Sequence, residues 1–141
     1  MNAGPILQEA LAHHQAGRLQ DALPLYRKAL EIDPDLPDGL HLCGLVYHQM
    51  GQSEQAAELI SKAVKLKGDS DLYQTNFAIV LNILGRFPEA EKAAETATKL
   101  AADNAEAWHH LGISRLGQQK FTGAEVALTK ATELDPNNSE Y

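Results

Sequence analysis

Small and apolar residues recur along the chain at the spacing of a helix. Between Leu40 and Tyr47 they fall at positions i, i+3, i+4 and i+7, which form one helical face. The stretch from Trp108 to Arg115 repeats this spacing, with Arg115 as the polar exception. A glycine follows three such stretches, at positions 17, 51 and 85, where a left-handed residue commonly ends a helix. The pattern predicts short amphipathic helices joined by tight turns.

The chain also matches itself at a shift of 34 residues, without a gap. The most regular positions hold only small residues, which let helices approach closely: Ala22, Ala56, Ala90 and Ala124; Ala29, Ala63, Ala97 and Ala131; Ala10, Gly44, Ala78 and Gly112. Each unit is read as two helices, and the repeats are predicted at about 3–36, 37–70, 71–104 and 105–138. We expect these repeats to form a single array over residues 1–141.

This register resembles the tetratricopeptide repeat, whose signature is W-x2-L-G-x2-Y, then A-x3-F, then A and P. The matching segments are Trp108-x2-Leu111-Gly112, Leu42-Cys43-Gly44-x2-Tyr47, Ala22-x3-Tyr26-x2-Ala29, Asp33-Pro34 and Asp135-Pro136. Gln119 departs from the pattern at the turn glycine, and Arg115 departs at the tyrosine. The resemblance implies an all-α fold, a right-handed α-solenoid of helix-turn-helix repeats, and a role in protein–protein interaction. A weaker likeness is to bacterial arrays fused to O-GlcNAc-transferase-like or other transferases.

The charge of the chain disfavours nucleic acid and membrane partners. The net charge is −7, from 12 basic and 19 acidic residues that are spread evenly over the four repeats. Binding to phosphates requires clustered Lys and Arg, and binding to anionic membranes requires the same. Apolar runs are too short for a membrane span, and the first residues lack a secretory signal pattern. We therefore expect a cytoplasmic protein.

The sequence contains no familiar catalytic motif, so the prediction is a non-enzyme without a cofactor or metal. A phosphate-binding glycine loop, a zinc-binding His pair on a helix and a nucleophile elbow are all missing from the sequence. Cys43, the only cysteine, takes a position that holds a core residue in other repeats. The carboxylates are interpreted as solvated rather than as acid–base pairs.

The first helix of each repeat carries a second face that is unusually free of charge. Among 24 positions on this face, only Asp38 and Glu106 are charged, while nine are Leu or Ile and five are His. The resemblance implies that this face lines a concave groove where peptides bind. The candidate groove residues are Leu11, His14, His41, Leu45, His48, Asn76, Ile79, Asn82, His109, His110 and Ile113. Packing within the array is the alternative for these residues, and a two-histidine metal site is a weak one. If the histidines titrate, partner affinity is expected to change between about pH 7.5 and 5.5.

The main prediction is therefore a protein-interaction module that binds a peptide segment of a partner. The alternatives are a substrate-recruiting domain of a longer glycosyltransferase-type enzyme and a structural or oligomerisation spacer. The last helix is expected to present Val126, Leu128, Ala131 and Leu134 with no helix after it. An uncapped end of this kind predicts either a chain that continues beyond Tyr141 or self-association through the C-terminal helix.

Overall fold

The computed structural model describes residues 2–138, and this part of the chain contains helices and no strand. The helices are α1 (Gly4–Gln15), α2 (Leu19–Ile32), α3 (Pro37–Gln49), α4 (Ser53–Leu66), α5 (Asp71–Ile83), α6 (Phe87–Leu100), α7 (Ala105–Gly117) and α8 (Phe121–Leu134). One pair of helices falls within each predicted repeat. The predicted fold class, all-α with helix-turn-helix repeats, is confirmed. Residues 139–141, which belong to the predicted array and to its C-terminal end, lie outside the described residues.

The chain divides into two compact units, Met1–Lys67 and Gly68–Tyr141. The first unit contains α1 to α4 and the second contains α5 to α8, so each unit holds two helix pairs. Within the first unit α2 packs on α3, and within the second unit α6 packs on α7. The organisation of all four repeats as one array over residues 1–141 stays a prediction.

The columns of small residues lie where the two helices of a pair meet. The four alanines of the column that begins at Ala22 are fully buried. A methyl group on Gly44 would lie 2.6 Å from the side chain of Ile60, and one on Gly112 would lie 2.5 Å from Leu128. Any larger side chain would therefore force the paired helices apart. This close approach is the physical reason for the repeating pattern of small residues.

Every turn within a helix pair uses the same backbone conformation. Gly17, Gly51 and Gly85 have φ angles of +80°, +79° and +75°, and Gln119 has a φ of +61° at the same register position. The amide of the next residue donates to a carbonyl five residues before it, as from Gln52 to Tyr47 at 2.8 Å. These bonds close the helix end in a Schellman motif. Gln119 thus adopts a conformation that favours glycine, because the register of the repeat requires it there.

The start of α7 is tied to the neighbouring first helix. The Asn104 side-chain oxygen accepts a hydrogen bond from the Ala107 amide at 3.0 Å, which caps α7. Its side-chain nitrogen donates to Asp71 Oδ2 and to Thr75 Oγ1 of α5, both at 3.1 Å. One residue therefore begins α7 and links it to α5.

Candidate functional site

The predicted groove residues all lie on the first helices of the pairs, α1, α3, α5 and α7. The first unit contains five of them and the second unit contains six. His41 is buried and the other ten are half-buried. Each unit is a compact body of its own.

His14 connects three helices of the first unit. Its Nε2 lies 3.0 Å from the side-chain oxygen of Gln49 on α3, and its Nδ1 lies 3.0 Å from the hydroxyl of Tyr26 on α2. Burial, followed by the nearby Cys43, raises the pKa of Tyr26 to about 12, so this phenol keeps its proton. Because the Gln49 oxygen accepts from Nε2, Tyr26 donates to Nδ1. Both ring nitrogens are therefore used inside the unit, and His14 fixes the position of α1 against its neighbours.

His41 and His48 differ from each other in accessibility, although both lie on α3. His41 is only 3% exposed. Burial lowers the pKa of His41 to about 4, although the nearby Asp38 opposes this shift. His48 is half-buried, and its Nδ1 atom is shielded from solvent without a hydrogen-bond partner among the described residues. Of the two side chains, His48 is the more accessible.

The second unit brings Asn82 and His110 together across α5 and α7. The Asn82 side-chain nitrogen donates to the backbone oxygen of His110 at 3.1 Å. The rings of His109 and His110 meet edge to face, with centroids 5.0 Å apart. Burial, and then the neighbouring His109, lowers the pKa of His110 to about 4. The Asn82 Oδ1 and His110 Nδ1 atoms are both buried and find no hydrogen-bond partner within residues 2–138.

These pKa shifts correct one expectation about the histidines. His41 and His110 stay neutral between pH 7.5 and 5.5, because their pKa values lie near 4. The predicted gain of positive charge on acidification therefore cannot come from these two residues. Periodicity identified their helix face, but it did not indicate how deeply neighbouring helices cover them.

Half-buried aliphatic side chains accompany the polar atoms in both units. Leu11 and Leu45 lie in the first unit, and Ile79 and Ile113 lie in the second. Asn76, the remaining polar member of the predicted set, is half-buried on α5. Each unit thus offers aliphatic surface beside buried polar atoms whose hydrogen-bonding capacity is not used. Such a mixture suits a ligand that has both apolar side chains and backbone polar groups.

The described part of the chain contains neither a cluster of metal-binding side chains nor a helix that could span a membrane. Residues 2–138 contain no group of three or more His, Cys, Asp or Glu side chains placed to hold a metal ion. None of the helices that the structure describes combines the length and apolar character needed to cross a membrane. Cys43 is 1% exposed, and burial raises its pKa to about 11 even though Arg27 opposes the shift. Its thiol is therefore protonated and enclosed, as expected for a core residue.

Sequence reasoning missed the partners of Arg115, the residue that breaks the apolar face of α7. Arg115 bonds to Glu91 at 3.1 Å and to Glu95 at 3.4 Å, and it donates to the Gly123 carbonyl at 3.1 Å. Lys120 bonds to the same Glu91 at 2.7 Å. The two carboxylates lie four residues apart on one face of α6, which is the sequence signal that could have revealed this network.

The expected exposed face of α8 needs one correction. Ala131 was predicted to be presented to solvent, but it is fully buried within the helix pair. Val126 is 61% exposed, whereas Leu128 and Leu134 are half-buried. Phe121, which was not part of the prediction, is 65% exposed. Its register match to Phe87 is the signal that could have identified it.

Comparison with known families places most of the chain in one class. Models described as "TPR repeat" or "Tetratricopeptide repeat" match residues 10–51, 37–70 and 84–139. No significant match was found among curated protein sequences.

Solved structures share the arrangement of the helices. MamA from Desulfovibrio magneticus RS-1 matches with a TM-score of 0.90 and 21% identity, over 99% of this chain and 78% of that one. A second MamA structure matches with a TM-score of 0.87 and 17% identity, over 99% of this chain and 76% of that one. PilF from Pseudomonas aeruginosa matches with a TM-score of 0.83 and 25% identity, over 96% of this chain and 62% of that one. At these identities the structural likeness concerns the fold.

Proposed function

Because the chain belongs to the tetratricopeptide repeat family, which supplies protein-interaction scaffolds, we propose that it binds a peptide segment of a partner protein along the first helices of its repeats. The proposed contact residues, taken within each unit, are the ten half-buried members of the predicted groove set; His41, at 3% exposure, belongs to the interior. They act in binding, and the proposal assigns them no catalytic step.

The unused polar atoms beside aliphatic surface carry this proposal. A buried polar atom without a hydrogen bond costs about 1–3 kcal/mol, and folded proteins contain few of them. Asn82 Oδ1 and His110 Nδ1 are both in this condition, and both belong to the predicted groove set. Both atoms are shielded from solvent, so a peptide backbone laid beside Ile79 and Ile113 would provide donors and acceptors for them once the Asn82 and His110 side chains turn toward it. Ligand binding would thereby recover hydrogen bonds that the free protein lacks.

The composition of the face indicates the class of peptide. The predicted set contains aliphatic residues, neutral amides and histidines, and it has no Lys, Arg, Asp or Glu. Two of its histidines stay neutral well below pH 7. The peptide is therefore expected to have few charges and several aliphatic side chains. Its affinity should depend weakly on salt, because screening acts on charged pairs.

Selection from a phage-displayed peptide library against the full chain tests the proposal. The selected peptides are then measured by fluorescence anisotropy against Leu45→Asp and Ile79→Asp variants. Each variant places a charge within the aliphatic surface, so we expect at least a tenfold loss of affinity with helical circular dichroism unchanged.

Leu66→Asp and Leu100→Asp serve as matched controls, one in each unit. These leucines are 48% and 44% exposed and lie at the ends of α4 and α6, outside the predicted set. They should bind the selected peptides as the unmodified chain does. Equal affinities for all four variants would show that the first helices do not form the binding surface.

Experiments can distinguish the two alternative roles from binding of a partner's peptide. A recruiting domain of a longer glycosyltransferase-type enzyme would bind segments of that enzyme's substrates, whereas a structural spacer would select no peptide. The selection described above distinguishes the spacer, and sequencing the gene beyond Tyr141 addresses the longer enzyme. A cytoplasmic location is part of the proposal and can be checked by fractionating cells.

Self-association through α8 also stays a prediction from the sequence. It is supported by the exposure of Phe121 and Val126 on this helix. Analytical ultracentrifugation over a range of concentrations tests it, and a constant monomer mass at all concentrations would contradict it.

A further inference from the structure

The second helices α6 and α8 occupy the same register, but only α6 is covered by a following helix in the described chain. The aromatic ring of Phe87 on α6 lies against Gly117 of α7, where an added methyl group would approach the ring to 2.5 Å. Glu91 of α6 accepts hydrogen bonds from Arg115, Gln118 and Lys120 at 3.1, 2.9 and 2.7 Å. A small residue and a donor on α7, with two more donors in the turn that follows it, thus complement α6.

The equivalent residues of α8 are open to solvent. Phe121 takes the position of Phe87 and is 65% exposed, and Glu125 takes the position of Glu91 and is also exposed. They line a surface groove of about 630 Å³ together with Leu116, Leu128, Glu133 and Pro136. The groove therefore lies on the side of α8 that corresponds to the α7-covered side of α6.

From this correspondence we infer that the groove on α8 binds an amphipathic helix of a partner protein, and that this helix resembles the C-terminal turn of α7. The partner helix presents a glycine or alanine to Phe121 and Arg or Lys side chains to Glu125. None of the residues that line this groove belongs to the predicted groove set of the proposed function, so either can hold without the other.

Charge complementarity supports a basic helix as the occupant. The groove contains two carboxylates, Glu125 and Glu133, and no basic residue lines it. On α6, the equivalent Glu91 is satisfied by two cations and one amide, all from α7 and the turn that follows it. The same carboxylate on α8 would be satisfied in the same way.

A second copy of this chain fits the groove less well. Where α7 has Gly117 and Arg115, α1 has Gln15 and His13. The other first helices carry Gln49 and Ile83 at the glycine position. Only α7 combines the small residue with the arginine, and in each copy α7 already covers α6. A second copy is therefore not the expected source of the complementary helix.

The test uses the full chain and a labelled peptide with the sequence of residues 105–120, which supplies the stated chemistry. Fluorescence anisotropy should show saturable binding. Phe121→Ser and Glu125→Lys should each weaken it at least tenfold, as should replacement of the peptide's glycine at position 117 by leucine. A peptide with glutamate at positions 115 and 120 should recover binding to the Glu125→Lys chain.

Val126→Ser is the matched control, because Val126 is 61% exposed on α8 but does not line this groove. It should leave the affinity unchanged. Lack of binding to the unmodified chain, or binding that is indifferent to Phe121 and Glu125, would overturn the inference. A dimer in ultracentrifugation that dissociates on Phe121→Ser and resists the peptide would overturn it as well, by assigning the groove to a second copy.

Discussion

Two junctions, the contact between α2 and α3 in the first unit and the contact between α6 and α7 in the second, occupy the same register of the repeat. They differ in which of the two helices carries the arginine. In the first unit, Arg27 on α2 donates to the hydroxyl of Tyr47 on α3, with its Nε atom at 3.0 Å, and its guanidinium lies 5.7 Å from the ring centroid. In the second unit, two repeats later, the arginine is Arg115 on α7 and its partner Glu95 is on α6. The arginine therefore lies on the second helix of its pair in the first unit and on the first helix of its pair in the second unit.

The shapes of the two junctions differ in a complementary way. The first unit has Leu19 on α2 and Gln49 on α3, whereas the second has Phe87 on α6 and Gly117 on α7 at the same register. The large ring of Phe87 fits because its counterpart has no side chain. The repeat thus determines which positions meet, while the size and charge at those positions can be exchanged as long as both sides change together.

The largest expected effect on stability comes from adding a side chain at Gly117, which lies against the ring of Phe87. Gly117→Leu should destabilise the second unit by roughly 2 kcal/mol, within the usual range for overpacking. Urea unfolding measures the loss, and hydrogen exchange shows whether it is confined to α6 and α7. Phe87→Leu in the same chain should restore most of the stability, since it recreates the smaller pairing of the first unit. If Gly117→Leu unfolds at the same urea concentration as the original chain, the close packing is not a constraint.

The next largest effect comes from removing the charge that distinguishes the second junction. Glu91→Gln should cost about 1–2 kcal/mol, because charge-assisted hydrogen bonds from Arg115 and Lys120 are lost at a side chain that is 13% exposed. Glu89→Gln is the control on the same helix. Its partner Arg86 is solvated, so a change below about 0.5 kcal/mol is expected. Equal losses in the two variants would mean that Glu91 acts as an ordinary surface residue.

Lowering the pH should remove the stabilising contribution of Glu91 in the second unit. Burial raises the pKa of Glu91, but hydrogen bonds from Lys120, Gln118 and Arg115 outweigh this and hold the pKa below the ordinary value of 4.5. A carboxylate with a lowered pKa stabilises the fold at neutral pH, and this contribution is lost as the pH falls below 4.5. Urea unfolding at decreasing pH should therefore show a steeper loss for the original chain than for Glu91→Gln. Parallel curves would contradict the role of this carboxylate.

The smallest effect concerns the turns that follow α3 and α7, again two repeats apart. Gly51 and Gln119 share the left-handed conformation. Gln119→Gly should stabilise the chain by about 0.5–1 kcal/mol, since the left-handed region costs a residue with a side chain about 1–2 kcal/mol and glycine loses part of this gain in entropy. Gly51→Gln should shift the unfolding midpoint by a similar amount in the opposite direction. A destabilised Gln119→Gly variant would show that the Gln119 side chain is needed at this turn.

Most of the fold could be predicted from the sequence because its strongest constraint acts locally. Gly44 and Gly112 mark contacts between helices that are adjacent in the chain, and the glycine at position 51 marks a turn conformation. Such contacts repeat identically and leave a period in the sequence. Even Gln119, which breaks that period, adopts the backbone conformation that its position predicts.

The candidate site was less predictable because it depends on coverage by other helices. Helical periodicity places His41 and His110 on a common face, but their burial comes from neighbouring helices. The two nitrogens of His14 are engaged by residues 12 and 35 positions away. No spacing within one helix reveals such partners. The assignment of the eleven groove residues therefore stays a prediction, with binding experiments as its test.

The hydrogen bonds of Asn104 should couple two events when the second unit is pulled apart. Its amide begins α7 through Ala107 and holds α5 through Asp71 and Thr75. A force that pulls α7 away from α5 would act on the same side chain that keeps the first turn of α7 wound. Detachment and unwinding would then occur in one step at a single rupture force. The residue that links two first helices in the unloaded protein would thus resist their separation under tension.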